Sequence, residues 1–166
     1  MRVLAEQIRG WATELGFQAT AFVRPELDSA EARLQQWLAA GRHGDMAYMA
    51  RHGSKRSRPT ELVPGTLTII SVRMDYLPEE PHDPQTLLDH PSKAYVSRYA
   101  LGRDYHKLLR HRLQQLAEKI SAEVGEFGYR AFVDSAPVLE KALAENAGIG
   151  WIGKHSNLIN PKAGSW

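Results

Sequence analysis

Phe132-Val-Asp-Ser-Ala-Pro-Val-Leu-Glu-Lys-Ala-Leu-Ala-Glu-Asn-Ala-Gly-Ile-Gly-Trp-Ile-Gly-Lys-His155 is the stretch that decides how this chain is read. An apolar run ends in one acid, Asp134. Ser135 and Pro137 then signal a helix start, and Gly148 signals its stop. An acid passed from a strand end into a loop that opens a helix lies where open α/β sheets place their chemistry. Gly148, Gly150, Gly153, Lys154 and Ser156 follow, a set that suits a backbone approaching a large ligand closely.

Working outward, Leu4, Ile8, Trp11 and Leu15 draw one apolar stripe down a helix that Gly16 closes. Residues 17–23 read as a strand. Asp28 with Glu31 three positions on reads as a capping-box start to a helix carrying Leu34, Trp37 and Leu38, ended by Gly41. Residues 45–50 make a short helical turn, and 53–64 read as a basic, proline-containing loop. The run 67–74 is rich in β-branched residues and reads as the central strand. Pro78, Pro81, Pro84 and Pro91 punctuate an acidic segment that reads as a long surface loop. Tyr105, Leu109, Leu113, Leu116 and Ile120 mark a long helix with cations on its other face. Residues 129–133 and 157–160 read as further strands. Alternating helices and strands predict one α/β domain over 1–166, a layered mixed sheet flanked by helices. The final residues read as a strand cut short, as in a fragment of a longer protein.

Composition narrows the chemistry. With 166 residues, 43% hydrophobic and 24% charged, the chain has the makeup of a globular domain. The absence of cysteine removes disulfides, thiolate-held iron and cysteine-type zinc. No apolar run is long enough for a signal peptide or membrane span, which predicts a cytoplasmic protein with no membrane partner. The net charge of +2 hides segregation. Arg42, Arg51, Lys55, Arg56 and Arg58 cluster, as do Arg98, Arg103, Lys107, Arg110 and Arg112, while acids gather between Asp75 and Asp89. Such clusters suit phosphate, and they equally suit solvated helix faces.

Familiar motifs are mostly missing. There is no phosphate-binding Gly-x-x-x-x-Gly-Lys-Ser/Thr loop, and Gly148-x-Gly150-x-x-Gly153 follows a helix instead of joining a strand to one. The seven histidines include no pair at metalloenzyme helix spacing, so no metal ligands are assigned. Asp134 has two readings: a carboxyl kept protonated among Phe132, Val133, Ala136 and Val138 to act as a general acid, or a helix cap. Arg56 and Arg58 either bind anionic or amide groups or solvate a loop. Tyr95, Tyr99 and Tyr105 either stack on a flat ligand or belong to the core.

Met49-Ala-Arg-His-Gly53, Lys55-Arg-Ser-Arg-Pro59, Tyr95-Val-Ser-Arg-Tyr-Ala-Leu-Gly-Arg-Asp-Tyr-His-Lys-Leu-Leu109, Val133-Asp-Ser-Ala-Pro137 and Gly150-Trp-Ile-Gly-Lys-His155 together resemble epoxyqueuosine reductase over nearly the whole chain. The resemblance implies a tRNA-modifying enzyme that reduces epoxyqueuosine to queuosine with cobalamin and [4Fe-4S] clusters. This chain would be its amino-terminal cobalamin-binding α/β domain, of flavin-reductase-like or B12-processing-like fold. The clusters would lie in a later ferredoxin-like segment, before helical repeats, with electrons from a donor protein or small reductant. Residue by residue, the resemblance implies Asp134 as proton donor, with Arg56, Ser97, Asp134, Ser156 and Leu158 against the cobalamin. Arg98, Asp104, Tyr105 and Lys141 would face the tRNA or its modified base. The cobalt-ligating pattern Asp-x-His-x-x-Gly is only half present, as Asp104-Tyr-His106 with Leu109 at the glycine, so no histidine ligand to cobalt is indicated. Two other readings stay open: a non-catalytic RNA-binding module and a flavin-binding reductase-like domain.

Overall fold

A computed structural model describes residues 2–77 and 83–165. The first helix, α1 (Arg2–Glu14), ends where Gly16 turns left-handed at φ +86°. Gly16 N–H donates to Thr13 C=O at 2.9 Å and Phe17 N–H to Ala12 C=O at 3.0 Å, the bond pair of a Schellman cap. A side chain at Gly16 would also meet Arg112, whose Nη1 lies 2.6 Å from the place a Cβ would take. After β1 (Ala19–Val23) comes α2 (Asp28–Ala39). The expected capping box does not form: Leu27 occupies the cap position without a side-chain bond, because Glu31 turns to another partner.

That partner is the basic segment. Instead of a plain loop, residues 48–62 hold α3 (Tyr48–Arg51), a 3-10 turn at Gly53–Arg56 and α4 (Pro59–Leu62). Glu31 takes a forked pair of bonds from Arg58, at 2.7 and 3.0 Å, and a third from Ser57 Oγ at 2.8 Å. Ser57 is 1% exposed, and its buried hydroxyl is satisfied by Glu31 and by the Ser54 carbonyl at 3.1 Å. Arg58 also donates to Glu61 at 3.2 Å. The bonds from Arg58 first and Ser57 second hold the Glu31 carboxyl below its usual range, and those to Glu31 first and Glu61 second hold the Arg58 guanidinium above its own.

Then come β2 (Ile69–Arg73), α5 (Pro84–Leu88), a 3-10 turn at Arg98–Ala100, α6 (Tyr105–Val124), α7 (Glu140–Asn146), β3 (Trp151–Ile152) and β4 (Leu158–Ile159). Part of the acidic proline segment therefore folds, with Pro84 opening α5 and Asp83 capping it through the Thr86 N–H at 2.9 Å. Pro78 and Pro81 lie outside the described residues.

The architecture is mixed α/β, but the sheet is smaller than the sequence predicts. Among the described residues it consists of two antiparallel pairs, β1 with β2 and β3 with β4. Ala19 faces Arg73 and Val23 faces Ile69, so β2 is half of a ribbon and not the centre of a wide sheet. Residues 129–133 join no ladder. Local ring contacts occupy this stretch instead, with Phe127 and Tyr129 centroids 5.7 Å apart and the Arg130 guanidinium 5.0 Å over Phe132. The end of the chain closes in a turn, with Asn160 and Gly164 exchanging backbone bonds at 2.8 and 2.9 Å.

The ribbon carries packed apolar residues on both faces. Phe22, Ile70 and Val72 pack with Ile8 and Ala12 of α1, Phe17 just after it, and Leu116 and Ile120 of α6. Val23 and Ile69, one residue out of phase, pack with Leu27, Ala30, Ala142 and Leu143 from α2 and α7. Helices thus cover both sides of two strands, and α7 is seated on the face opposite α6.

Phe17, 1% exposed, joins the α1 cap to the first cluster, so Phe17→Ala should cost about 3–5 kcal/mol in urea unfolding; a loss below about 1 kcal/mol would contradict this packing. The Glu31 link predicts a second effect. A carboxyl lowered on folding contributes stability above its ordinary range that disappears as pH falls through its folded value. Glu31→Gln should therefore flatten the acid-side loss of stability below about pH 4.5.

Candidate active site

Asp134 occupies an unusual backbone position. Its φ is +54°, and Ser135 N–H donates back to Val133 C=O at 2.6 Å. A bond across three residues with positive φ at the centre is the rarer and more strained γ-turn. Val138 N–H then bonds Ala136 C=O at 2.8 Å, and Leu139 N–H reaches across to Arg56 C=O at 3.0 Å. Val133 is buried at the base of this loop, while the Asp134 side chain is 58% exposed at its tip. The desolvated carboxyl predicted from the apolar neighbours is therefore not what folds. The helix-cap reading fails as well, since α7 starts at Glu140 with Leu139 in the cap position.

The start of α6 meets the Asp134 carboxylate. Tyr105 donates its hydroxyl to Asp134 Oδ2 at 2.5 Å, and His106 Nε2 lies 3.7 Å from the same oxygen. The bond to Asp134, more than burial, pushes the Tyr105 phenol up to about 12. Tyr105 and His106 stack with centroids 4.1 Å apart, and Tyr99 meets Tyr105 edge-on at 6.3 Å. Asp104 caps α6, accepting the His106 N–H at 3.0 Å and contacting His106 Nδ1 at 3.0 Å. The side-chain bond first and the backbone bond second hold its carboxyl below the usual range. His106 is thus gripped on one ring nitrogen and presents the other toward Asp134.

The start of α7 supplies the other wall. The Glu140 Oε1 is buried and has no hydrogen-bond partner among the described residues. Burial first and the nearby Asp134 charge second push Glu140 up to about 6. Lys141 Nζ donates to Ser156 C=O at 2.6 Å, and Ile152 N–H donates to Glu145 at 2.8 Å. These bonds pin the β3–β4 hairpin to α7. Ser156, at φ +67°, shares with Asp134 the left-handed region that non-glycine residues avoid. Among the described residues these two are the non-glycine cases.

The glycines of this run have reasons within the fold itself. Gly148 ends α7 left-handed, with Ile149 N–H on Ala144 C=O at 3.0 Å. A Cβ on Gly150 would collide with the Ile159 carbonyl, and one on Gly153 would come within 2.8 Å of the His155 ring and Ile159 Cδ1. The missing side chains let the hairpin close on itself.

The residues singled out from sequence converge unevenly. Asp134 and Tyr105 bond directly, Asp104 reaches them through His106, and Ser97 opens the turn that carries Tyr99. Lys141, Ser156 and Leu158 gather where α7 meets the hairpin, and the Arg56 carbonyl anchors the same region. The Arg56 guanidinium itself is turned to the carbonyls of Met49 and Tyr48 at 3.1 and 2.9 Å. With Arg58 held by Glu31 and Glu61, two cations of the first basic cluster are committed internally. Arg98 sits in its 3-10 turn, within electrostatic reach of Asp83. The sequence reading gives Glu140 no site role and weighs His106 only in the half-present cobalt-ligand pattern. For Glu140 the signal is an acid set between Leu139 and the apolar pair Ala142 and Leu143. Among the described residues no group of acids and histidines forms a metal cage.

Comparison with known proteins agrees on one relationship. The family model described as "Epoxyqueuosine reductase QueG, DUF1730" matches residues 56–135. Epoxyqueuosine reductase of Pseudomonas aeruginosa is 67% identical over 98% of this chain and 45% of its own length. That of Escherichia coli is 54% identical over 98% of this chain and 43% of its own length. The epoxyqueuosine reductase structure from Streptococcus thermophilus aligns at TM-score 0.77 with 27% identity, covering 97% of this chain and 43% of that one. A crystal structure of an epoxyqueuosine reductase with an epoxyqueuosine-modified tRNA stem loop aligns at TM-score 0.76 with 23% identity, covering 99% and 43%. The chain spans less than half the length of the curated relatives it matches, and over that span it is similar to epoxyqueuosine reductases.

Proposed function

We propose that this chain is the domain of an epoxyqueuosine reductase that delivers the proton, with Asp134 as the donor, during reduction of epoxyqueuosine to queuosine at the tRNA wobble position. The observation that carries this reading is the Asp134 turn: an exposed carboxyl at the tip of a strained loop, gripped by Tyr105 and within 3.7 Å of His106. Strained backbone of this kind collects at functional sites, where neighbouring structure over-determines it.

The net reaction adds two electrons and two protons to the epoxide and releases water, leaving an alkene. Asp134 gives one proton to the epoxide oxygen as the first carbon–oxygen bond breaks, so that an alcohol and not an alkoxide forms. Tyr105 orients the carboxyl through its hydroxyl, and His106, fixed by Asp104, stands ready to return a proton to Asp134. Arg98, in the turn before α6, and Lys141, in α7, are cations that suit the tRNA backbone.

The surface also suits cobalamin. The segment before α6 exposes Tyr95, Val96, Tyr99 and Leu101, and β3 exposes Trp151 and Ile152, apolar area appropriate to a broad ring face. Ser97 and Ser156 are exposed beside it, and together with Arg56, Asp134 and Leu158 they would hold the amide-bearing rim. When bound, cobalamin supplies a low-potential metal centre for electron delivery. The chain has no cysteine, so the thiolate ligands of [4Fe-4S] clusters would come from outside it, with the electron donor beyond them. A tRNA-modifying role is consistent with a cytoplasmic location.

In the full-length protein, Asp134→Asn should lower turnover of epoxyqueuosine tRNA by about 10²–10⁴-fold while tRNA binding and the cobalamin absorption spectrum persist. Unchanged turnover would remove Asp134 from the chemistry.

A further inference from the structure

The second basic cluster of the sequence divides by direction once it is folded. Arg112 turns inward, with its Nη1 3.0 Å from Met74 Sδ and against Gly16. Arg98 lies within electrostatic reach of Asp83. Arg103, Lys107 and Arg110 stay exposed. Lys107 and Arg110 stand three residues apart on α6, so they are neighbours on one side of the helix, about 4.5 Å apart along its axis. Leu109, Leu113, Leu116 and Ile120 turn a different side to the core.

Nothing within the fold accounts for these two cations. Asp104, three residues before Lys107, feels its charge but is bonded to His106. Asp134 accepts from Tyr105, Glu118 from Gln114 and Glu14 from Lys119. Among the described residues, neither Lys107 nor Arg110 pairs with a carboxylate. Like charges at this spacing weaken a helix, and Lys107, in the first turn, opposes the helix dipole. That turn holds no acid to offset it. The pair works against the helix that carries it, a local conflict of the kind that collects at functional surfaces.

Arg110 is also tied to the Asp134 loop. Its Nη2 donates to Ser135 Oγ at 3.4 Å across 25 positions, and Ser135 directly follows Asp134. The bond is long and occupies only one of the several N–H donors of a guanidinium. Both side chains are exposed. The Asp134 charge repels a polyanion, so an RNA strand that approaches it needs cations alongside. A guanidinium fork suits a phosphate diester best.

We propose that Lys107 and Arg110 form the phosphate grip for the nucleotide presented to Asp134, with Arg110 holding a phosphate that flanks it. A base seated at Asp134 brings its flanking phosphates within one nucleotide of that carboxyl, and Arg110 is the cation bonded to the adjoining residue. The proposal rests on the reductase reading for RNA as the substrate, and not on Asp134 as the proton donor.

The experiment measures binding of an unmodified anticodon stem-loop RNA to the full-length protein as salt is raised. Lys107→Ala and Arg110→Ala should each lower the slope of log affinity against log salt by about 0.7, the value for one contact to a single strand. A fourfold rise in salt then weakens binding about 2.6-fold less than in the wild type. Arg110→Lys should restore most of the slope. Lys119→Gln, on the same helix but paired with Glu14, and Ser135→Ala should both keep the wild-type slope. Unchanged slopes in the two alanine variants overturn the proposal. So does a Ser135→Ala that reproduces Arg110→Ala, since Arg110 would then be a brace for the loop. Loss of the cobalamin spectrum with RNA binding intact would assign the cations to the cofactor's own phosphate and overturn the RNA grip. Should an alanine variant fail to fold, Lys107→Gln or Arg110→Gln takes its place. These readouts need no turnover, so they fail separately from Asp134→Asn. Finally, a neutral methylphosphonate in place of a phosphate flanking the wobble nucleotide should weaken wild-type binding and cause no further loss in Arg110→Ala; additive losses would overturn the Arg110 assignment.

Discussion

One constraint organises this domain: the γ-turn at Asp134 must be held from two sides at once. The turn is costly on its own, by about 1–3 kcal/mol for a strained backbone position, and its side chain gains little from burial. Two opposing bonds stabilise it. Tyr105, at the start of α6, takes hold of the carboxyl, and the Leu139–Arg56 backbone bond fixes the chain just before α7. If either helix start moved, the carboxyl would leave its place.

The rest of the fold positions those two helix starts. α6 is anchored through Leu116 and Ile120 to the α1 side of the β1–β2 ribbon. α7 is anchored through Ala142 and Leu143 to the opposite side. A two-stranded ribbon would be marginal alone, but here it is a shared wall with helices on both faces. The Asp134 loop bridges from one layer to the other. Stability of the core and geometry of the site are therefore one problem, and the polar clasp of Glu31, Ser57 and Arg58 extends it by locking the segment that ends in Arg56 to α2.

Local signals in the sequence were legible where the structure is local. The α1 stripe and Gly16 cap, the α6 stripe from Tyr105 to Ile120, and Gly148 as a stop all depend on neighbours within one turn. The wide mixed sheet was not, because pairing partners are far apart in sequence: residues 129–133 have strand composition yet no ladder to join. The capping box at Asp28 failed for a similar reason, since Glu31 has a stronger forked partner 27 positions away in Arg58. At the site, Asp134 could be singled out but not its surroundings. Tyr105 lies 29 positions away. The Glu140 carboxyl owes its character to burial, which no spacing reveals. The glycines after α7 carry a strong pattern whose cause, room for the chain's own hairpin, shows only in three dimensions.

The central claim, that Tyr105 and Asp134 form one hydrogen-bonded unit at the loop tip, can be read from the Tyr105 phenol itself. Carbon-13 labelling of tyrosine Cζ follows its titration directly, in the wild-type protein and in Asp134→Asn. The account predicts a wild-type midpoint near 12 that moves back toward the ordinary value of about 10 when the Asp134 charge is removed. A Tyr105 that titrates near 10 in the wild-type protein, or that ignores the substitution, would contradict it.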